Sequence, residues 1–346
     1  MQGRVVILGA LSGREAAALM VDGQLEDLLI DASDSVALAP LAICRGVVDR
    51  QMKGQGGVFV RLPDGAKGFL REVKGLRPGQ TVICQITGGA EAGKAYPVSL
   101  RLLFKSRYCI VTPGAPGRNI SRRIRDEEIR EELSALADAV MEGSEMGLIV
   151  RSACEAAETA EISEDITAMR ALAEAVTQDL EGGPELLVDA PAPHEAAWRE
   201  WADPVPDEVV TGDMEEHGVL EAVEALCQPR VELAGGGHMM IEPTRALIAI
   251  DVNTGNDTSP AAALKANIAA ARDLPRQLRL RGLGGQLVID FAPMPKKDRA
   301  ILEQQLRGAF KGEAAETSLA GWTPLGNYEL QRKRDRIALT TLMEPQ

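Results

Sequence analysis

Residues 246–294, ALIAIDVNTGNDTSPAAALKANIAAARDLPRQLRLRGLGGQLVIDFAPM, decide how the rest of the 346-residue chain is read. Two short apolar runs, Ala246–Ile250 and Gln286–Ile289, each end in an aspartate, Asp251 and Asp290. Short runs rich in Ile, Leu and Val, bounded by turn residues, read as buried strands. The stretch between them has a helical pattern and carries Arg272, Arg276, Arg279 and Arg281. Strand, helix, strand predicts two neighbouring strands with both carboxylates at one sheet edge. With the amide of Asn253 they form a hard oxygen-donor set suited to Mg²⁺ or Mn²⁺, and the arginines suit an anionic substrate. An aspartate at a strand end also serves as a turn or cap residue, and spacing alone leaves that alternative open. A calcium loop over Asp251, Asn253, Gly255 and Asp257 fails: the glycine comes one place early, and the twelfth position is Ala262 where a glutamate is required.

The composition looks wrong for a nucleic-acid partner when taken whole, with 38 Lys+Arg against 51 Asp+Glu and a net charge of −13. The charge is segregated, however. Residues 41–125 hold 16 basic side chains against 4 acidic ones, residues 126–240 hold 5 against 29, and the last 106 hold 15 against 12. Phosphate binding depends on local rather than total charge, so 41–125 is a candidate polyanion footprint, with an ordinary solvated surface as the alternative. No stretch approaches the length of a membrane-spanning helix, and the N-terminus MQGRVVILGA lacks a signal-peptide pattern. The five cysteines (Cys44, Cys84, Cys109, Cys154, Cys227) include no CxxC pair, and His194, His217 and His238 have no ligand spacing. The expectation is a cytoplasmic protein with reduced thiols, no membrane span and no structural zinc.

Residues 4–31 read as two or three strands, with Asp22-Gly23 as a hairpin turn. Five short β-like runs between 41 and 104, separated by glycines and polar turns, predict a small closed barrel of the OB type. Phe59 and Phe69 in that barrel are candidates to stack on bases, with core packing as the alternative. Further along, one long helix is expected over 153–182, a hairpin at Gly235–Gly237, a helix over Lys297–Phe310, and a basic helix from Tyr328 to Leu342.

Taken together, these residues resemble a known family. AIDVNTG followed by RQLRLRGLGGQLVIDF is similar to the catalytic signature of the ribonuclease E/G family of bacterial endoribonucleases. MVDGQLEDLLID, GKAYPVSLRLLF, SRRI, GLIVRSA and YELQRKR fall in that family's order, so the resemblance covers essentially the whole chain. It implies an α/β protein of several subdomains. An RNase H-like subdomain would come from 1–35 and 185–245, with an S1-type OB barrel at 36–105 and a 5′-sensor-like region at 106–184. A deoxyribonuclease-I-like catalytic subdomain would occupy 246–346. It also implies that Asp251 and Asp290 hold Mg²⁺, that Asn253 orients the first of them, and that Phe59, Phe69 and Lys94 contact RNA.

Departures from the family pattern shape the rest of the expectation. The family's 5′-phosphate pocket uses an Arg-Thr pair, here Arg151-Ser152, and its further arginine falls on Pro324, which cannot donate a charged hydrogen bond. The segment between GLIVRSA and ELLVD and the loop after Asp251 are both shortened, and the acidic residue expected after IDF is replaced in IDFAPM. The CPxC motif that links protomers through zinc in the family is absent from these residues. A homo-oligomer, if formed, is therefore expected to be linked otherwise. The resulting expectation is a Mg²⁺-dependent endoribonuclease on single-stranded RNA that leaves a 5′-phosphate and a 3′-hydroxyl. Arg276, Arg279 and Arg281 would help position the strand, and 5′-end sensing would be weakened or absent. The alternatives are an RNA-binding member with reduced or lost catalysis, or an adaptor, which would leave the basic barrel unexplained.

Overall fold

The computed structural model describes residues 3–52, 56–71, 75–90, 93–257 and 259–344. The chain opens with a three-stranded meander, β1 (Arg4–Leu11), β2 (Arg14–Val21) and β3 (Gln24–Ile30), all antiparallel. Its second turn is the expected Asp22-Gly23, both at positive φ, the geometry that matches the twist of a tight hairpin. The first turn, Ser12-Gly13, has the same geometry.

The barrel follows. Strands β4 (Ile43–Met52), β5 (Gly57–Arg61), β6 (Lys67–Arg71), β7 (Thr81–Ile86) and β8 (Tyr96–Ser99) pair in the order β4-β5-β6-β8-β7, and β7 returns to β4. This is a closed five-stranded barrel of the OB-like kind, and closure leaves no edge inside the ring. Val48, Val58, Val60, Leu70, Cys84 and Ile86 fill it. Burial pushes the thiols of Cys44 and Cys84 up to about 11 and about 12, so both are neutral core groups.

A third sheet combines β9 (Phe104–Lys105), β10 (Cys109–Thr112), β11 (Arg118–Ile120) and β12 (Gly147–Val150), packed on α1 (Glu127–Val140) and α2 (Thr159–Gln178). Here α2 is shorter than the helix expected over 153–182. Residues Ser152–Ala156 form a separate 3₁₀ turn that buries Cys154.

Residues 185–245 do not form one layer. Strand β13 (Glu185–Val188) pairs with β4 of the barrel, where the buried Arg45 guanidinium meets Asp179 and Glu185. After α3 (Pro193–Glu200), β14 (Glu208–Thr211) joins β1 in parallel. The N-terminal sheet is thus covered by α3 on one face and by α4 (Val219–Leu226) on the other. Strands β15 (Arg230–Glu232) and β16 (His238–Pro243) belong instead to the last sheet. The expected boundary at 245/246 therefore cuts an antiparallel hairpin, because β16 pairs along its whole length with β17 (Ile248–Asn253).

The last sheet has the order β15-β16-β17-β18-β20-β19, with β18 (Gly285–Asp290), β19 (Thr317–Trp322) and β20 (Tyr328–Arg332). Between β17 and β18 runs α5 (Pro260–Leu280), capped by Ser259, whose hydroxyl accepts from the Ala262 amide at 3.2 Å. Helix α6 (Arg299–Phe310) packs beside α5 on the same face of the sheet. The segment expected to be a helix from Tyr328 is strand β20. Tyr328, Leu330 and Arg332 are buried while Glu329 and Gln331 are exposed, a period of two that fits a strand with one covered face. Only the short α7 (Leu339–Met343) is helical in that stretch. Before it the chain passes so close to Gly282 (φ +63°) that a Cβ there would collide with the Ile337 carbonyl. Among the described residues no helix is long and apolar enough to cross a membrane.

Candidate metal and RNA site

Strands β17 and β18 run parallel, and Asp251 is the register partner of Asp290. Along both strands alternate residues enter the core: Ile248, Ile250 and Val252 on one, Leu287 and Ile289 on the other. The period of two then turns Asp251, Asn253 and Asp290 to the face that carries no helix. Both aspartates are exposed, and among the described residues neither forms an ion pair. Asn253 Nδ2 donates to Asp251 Oδ2 at 2.7 Å, which orients that carboxylate. Across β16, His238 faces Asn253 and Met240 faces Asp251.

Two like charges on neighbouring strands repel each other, and a cation is the group that would relieve this. Among the described residues no cluster of three or more His, Cys, Asp or Glu side chains could hold a metal. That donor set fits Mg²⁺, which keeps several waters and is held by one or two carboxylates, better than zinc or a calcium cage. A surface groove of about 620 Å³ between α5 and α6, around Arg272, Gln305 and Arg307, contains neither aspartate.

Asn267, which sequence reading missed, holds the exit from Asp290. It is fully buried on α5; its Nδ2 donates to the Ala292 carbonyl at 2.9 Å and its Oδ1 accepts from the Ala292 amide at 3.0 Å. Such two-way pairing fixes the backbone two residues beyond Asp290. A lone Asn in an Ala-rich helix was the only signal in the sequence.

The arginines expected to position RNA, Arg276, Arg279 and Arg281, stand at the C-terminal end of α5 and already have partners inside the fold. Arg276 donates to Asp273 and to the Leu25 carbonyl, and Arg279 is bound by Glu26, Glu313 and the Glu26 carbonyl. Arg281 is buried against Gln277 and the Gln228 carbonyl. Arg276 and Arg279 thus tie α5 to β3 of the N-terminal sheet, and Arg281 ties the end of α5 to the segment before β15. A charged network surrounds them: Arg332 pairs with Glu313 at 2.7 Å and Arg336 with Asp27 at 2.6 Å. Burial alone would raise the Asp27 carboxyl, but Arg336 and Arg279 override it and hold the group below its ordinary range.

On the barrel, Phe59 and Phe69 are cross-strand partners with ring centroids 5.2 Å apart. Both are half-buried, and Lys94 is exposed. A Cβ on Gly57 would collide with the Phe69 ring, so the missing side chain there lets the ring lie across the strand.

Arg151 and Ser152 come together at a small polar cavity of about 50 Å³, also lined by Arg107, Arg123, Arg199, Glu200 and Asp203. Both are already engaged. Arg151 donates to Glu200 at 2.8 Å and to the Ser106 carbonyl at 2.6 Å, while Ser152 Oγ donates to Asp203 at 2.5 Å, with Arg123 on the same oxygen at 3.0 Å. The Ser152 hydrogen bond, then Arg123, hold the Asp203 carboxyl below its ordinary range. For Glu200, burial works upward, but Arg151, Arg199 and Lys105 outweigh it and the net shift is downward. Pro324 lies at the β19–β20 turn, next to Leu325, which is 92% exposed.

The ribonuclease E/G family model matches residues 104–222 and 213–335. Ribonuclease E of Nostoc sp. (strain PCC 7120 / SAG 25.82 / UTEX 2576) is 27% identical over 377 residues, covering 92% of this chain and 54% of its own length. Ribonuclease G of Escherichia coli (strain K12) is 27% identical over 308 residues, 76% of this chain and 62% of that protein. Ribonuclease E of the same strain is 30% identical over 300 residues, 75% of this chain and 28% of its own length. The chain spans about half the length of the cyanobacterial relative it matches. With the family model matching well over half of its residues, the chain belongs to the ribonuclease E/G family.

Proposed function

We propose that this chain is a Mg²⁺-dependent endoribonuclease that cleaves single-stranded RNA to 5′-phosphate and 3′-hydroxyl ends and depends little on the substrate's 5′ end. The observation that carries this reading is the register of Asp251 with Asp290, two exposed carboxylates without a cation partner among the described residues. They would hold the divalent ion, with Mn²⁺ as a substitute. When bound, that ion supplies polarisation of a phosphoryl oxygen and a more acidic water. Asn253 holds the Asp251 carboxylate by one oxygen, and Asn267 holds the backbone two residues beyond Asp290.

Phe59, Phe69 and Lys94 would take bases and backbone of the single strand on the barrel. In this reading the barrel is the S1-type module, the 106–184 sheet the 5′-sensor-like region, and the last sheet the deoxyribonuclease-I-like catalytic unit. The N-terminal sheet is the RNase H-like part. Weak 5′ sensing rests on two observations: Glu200 and Asp203 already bind the Arg151–Ser152 pair, and Pro324 offers no charged donor.

The test is end-group analysis on an internally labelled single-stranded RNA. Expected products carry a 5′-phosphate and a 3′-hydroxyl and form only with Mg²⁺ or Mn²⁺. Products with 2′,3′-cyclic phosphate ends, or cleavage undiminished in EDTA, would refute the metal mechanism. Binding without cleavage in any divalent metal would favour the RNA-binding alternative.

A further inference from the structure

With the α5 arginines engaged inside the fold, the last sheet needs another cation if it is to hold RNA beside its carboxylates. The loop that follows Asp290 supplies one. Phe291, the next residue, stacks within 5.9 Å of Trp322, and Trp322 in turn lies 5.2 Å from Tyr328. Tyr328 is the register partner of Ile289, so this aromatic trio stands at the same end of the sheet as Asp290, on the helix-covered face where Phe291 and Tyr328 enter the core. The Arg299 guanidinium lies over the Trp322 ring, 4.2 Å from its centroid, and its Nη2 sits beside Gly326 in the β19–β20 turn.

Arg299, the first residue of α6, differs from Arg279 and Arg332 in its partners. No carboxylate pairs with it among the described residues, and its Nε, like that of Arg332, is buried with no hydrogen-bond partner. A buried donor left unsatisfied is uncommon and calls for an acceptor. Its stack on an indole holds the guanidinium in place without neutralising its charge. Lys296 and Lys297, in the 3₁₀ turn just before it, add two more cations at the same sheet end.

We propose that Arg299, held by Trp322 and flanked by Lys296 and Lys297, binds a backbone phosphate of the RNA where the strand leaves the carboxylate face and passes the end of the sheet. Arg299 touches substrate in this assignment, and Trp322 is a positioning residue that acts through it. The assignment rests on the ribonuclease reading for its substrate, but its test needs no cleavage.

The measurement is equilibrium binding of a fluorescently labelled single-stranded RNA in EDTA across a range of salt concentrations. Removing one phosphate-binding cation should make the slope of log K against log salt shallower by about 0.7. Arg299→Gln is expected to show that drop with roughly tenfold weaker binding, whereas Arg299→Lys keeps the slope. Lys296→Gln with Lys297→Gln alters side chains outside the core and should make the slope shallower again, which keeps the test valid if Arg299→Gln folds poorly. Trp322→Leu retains every charge and should keep the slope while weakening binding, and Trp322→Phe, which preserves the stack, should restore the affinity. Unchanged slopes in Arg299→Gln and in the double lysine variant would overturn the proposal even if the wild type cleaves RNA. Conversely, Arg299-dependent binding by a protein that never cleaves would support this site and sink the ribonuclease reading instead. No RNA binding at all would overturn both.

Discussion

Two polar clusters in this protein are built in opposite ways. At the end of β17 and β18, Asp251 and Asp290 stand side by side, exposed, with an amide as the partner of one and, among the described residues, no cation for either. In the cavity around Arg151, Arg123, Arg151, Arg199 and Ser152 are matched to the carboxylates of Glu200 and Asp203, and Arg107 donates to the Trp198 carbonyl. The first cluster carries unbalanced charge that an added cation would stabilise. The second has internal ligands where an external anion would otherwise bind. A charged side chain marks a binding site only when its own protein leaves it unsatisfied, and the arginines of α5 make the same point.

The strongest way to break this contrast is to free an engaged arginine. Glu313 holds both Arg279 and the 2%-exposed Arg332. Glu313→Ala should cost about 3–5 kcal/mol of stability by leaving buried charge unpaired, read as a lower denaturant midpoint. Stability unchanged within error would mean these arginines are available for other partners.

At the open cluster, Asn253→Ala should lower cleavage by about 10–100-fold, the usual effect of removing a partner that orients a metal ligand, with the thermal midpoint little changed. An effect on stability alone would make Asn253 a structural residue. The barrel adds a third surface to the comparison. Phe59→Ala or Phe69→Ala should each weaken single-stranded RNA binding by about 1–3 kcal/mol, measured in EDTA. Full affinity in both would return the rings to a packing role. The smallest effect is expected at the engaged cavity. RNAs with 5′-monophosphate and 5′-hydroxyl ends should be cleaved at rates within about threefold of each other, where an open charged contact would give roughly tenfold or more. A larger preference would show that Glu200 and Asp203 yield to phosphate.

Much of this was legible in the sequence, and the limit has a physical cause. The pairing of Asp251 with Asp290 follows from strand–helix–strand order, a local pattern, and the barrel from short strands separated by glycines. Which cations are free depends instead on partners far along the chain: Arg279 meets Glu26 from 253 residues away, and Arg151 meets Glu200 from 49. No periodicity reports such contacts. The β20 strand shows a local signal overridden: Tyr328, Leu330 and Arg332 alternate with Glu329 and Gln331, but the basic run that begins there suggests a helix. Arg332 is the misleading residue, since a buried arginine looks like a polar position until Glu313 is seen beside it.

The central claim is that Asp251 and Asp290 form the metal-dependent cutting edge. The most direct test incubates a labelled single-stranded AU-rich RNA with wild type and with Asp290→Asn, each with Mg²⁺ and with EDTA. The expected result is cleavage by wild type only with Mg²⁺, and a loss in Asp290→Asn larger than the about 10–100-fold effect of an orienting residue, while both bind the RNA equally in EDTA. Cleavage by Asp290→Asn at the wild-type rate, or by wild type without a divalent metal, would contradict the claim.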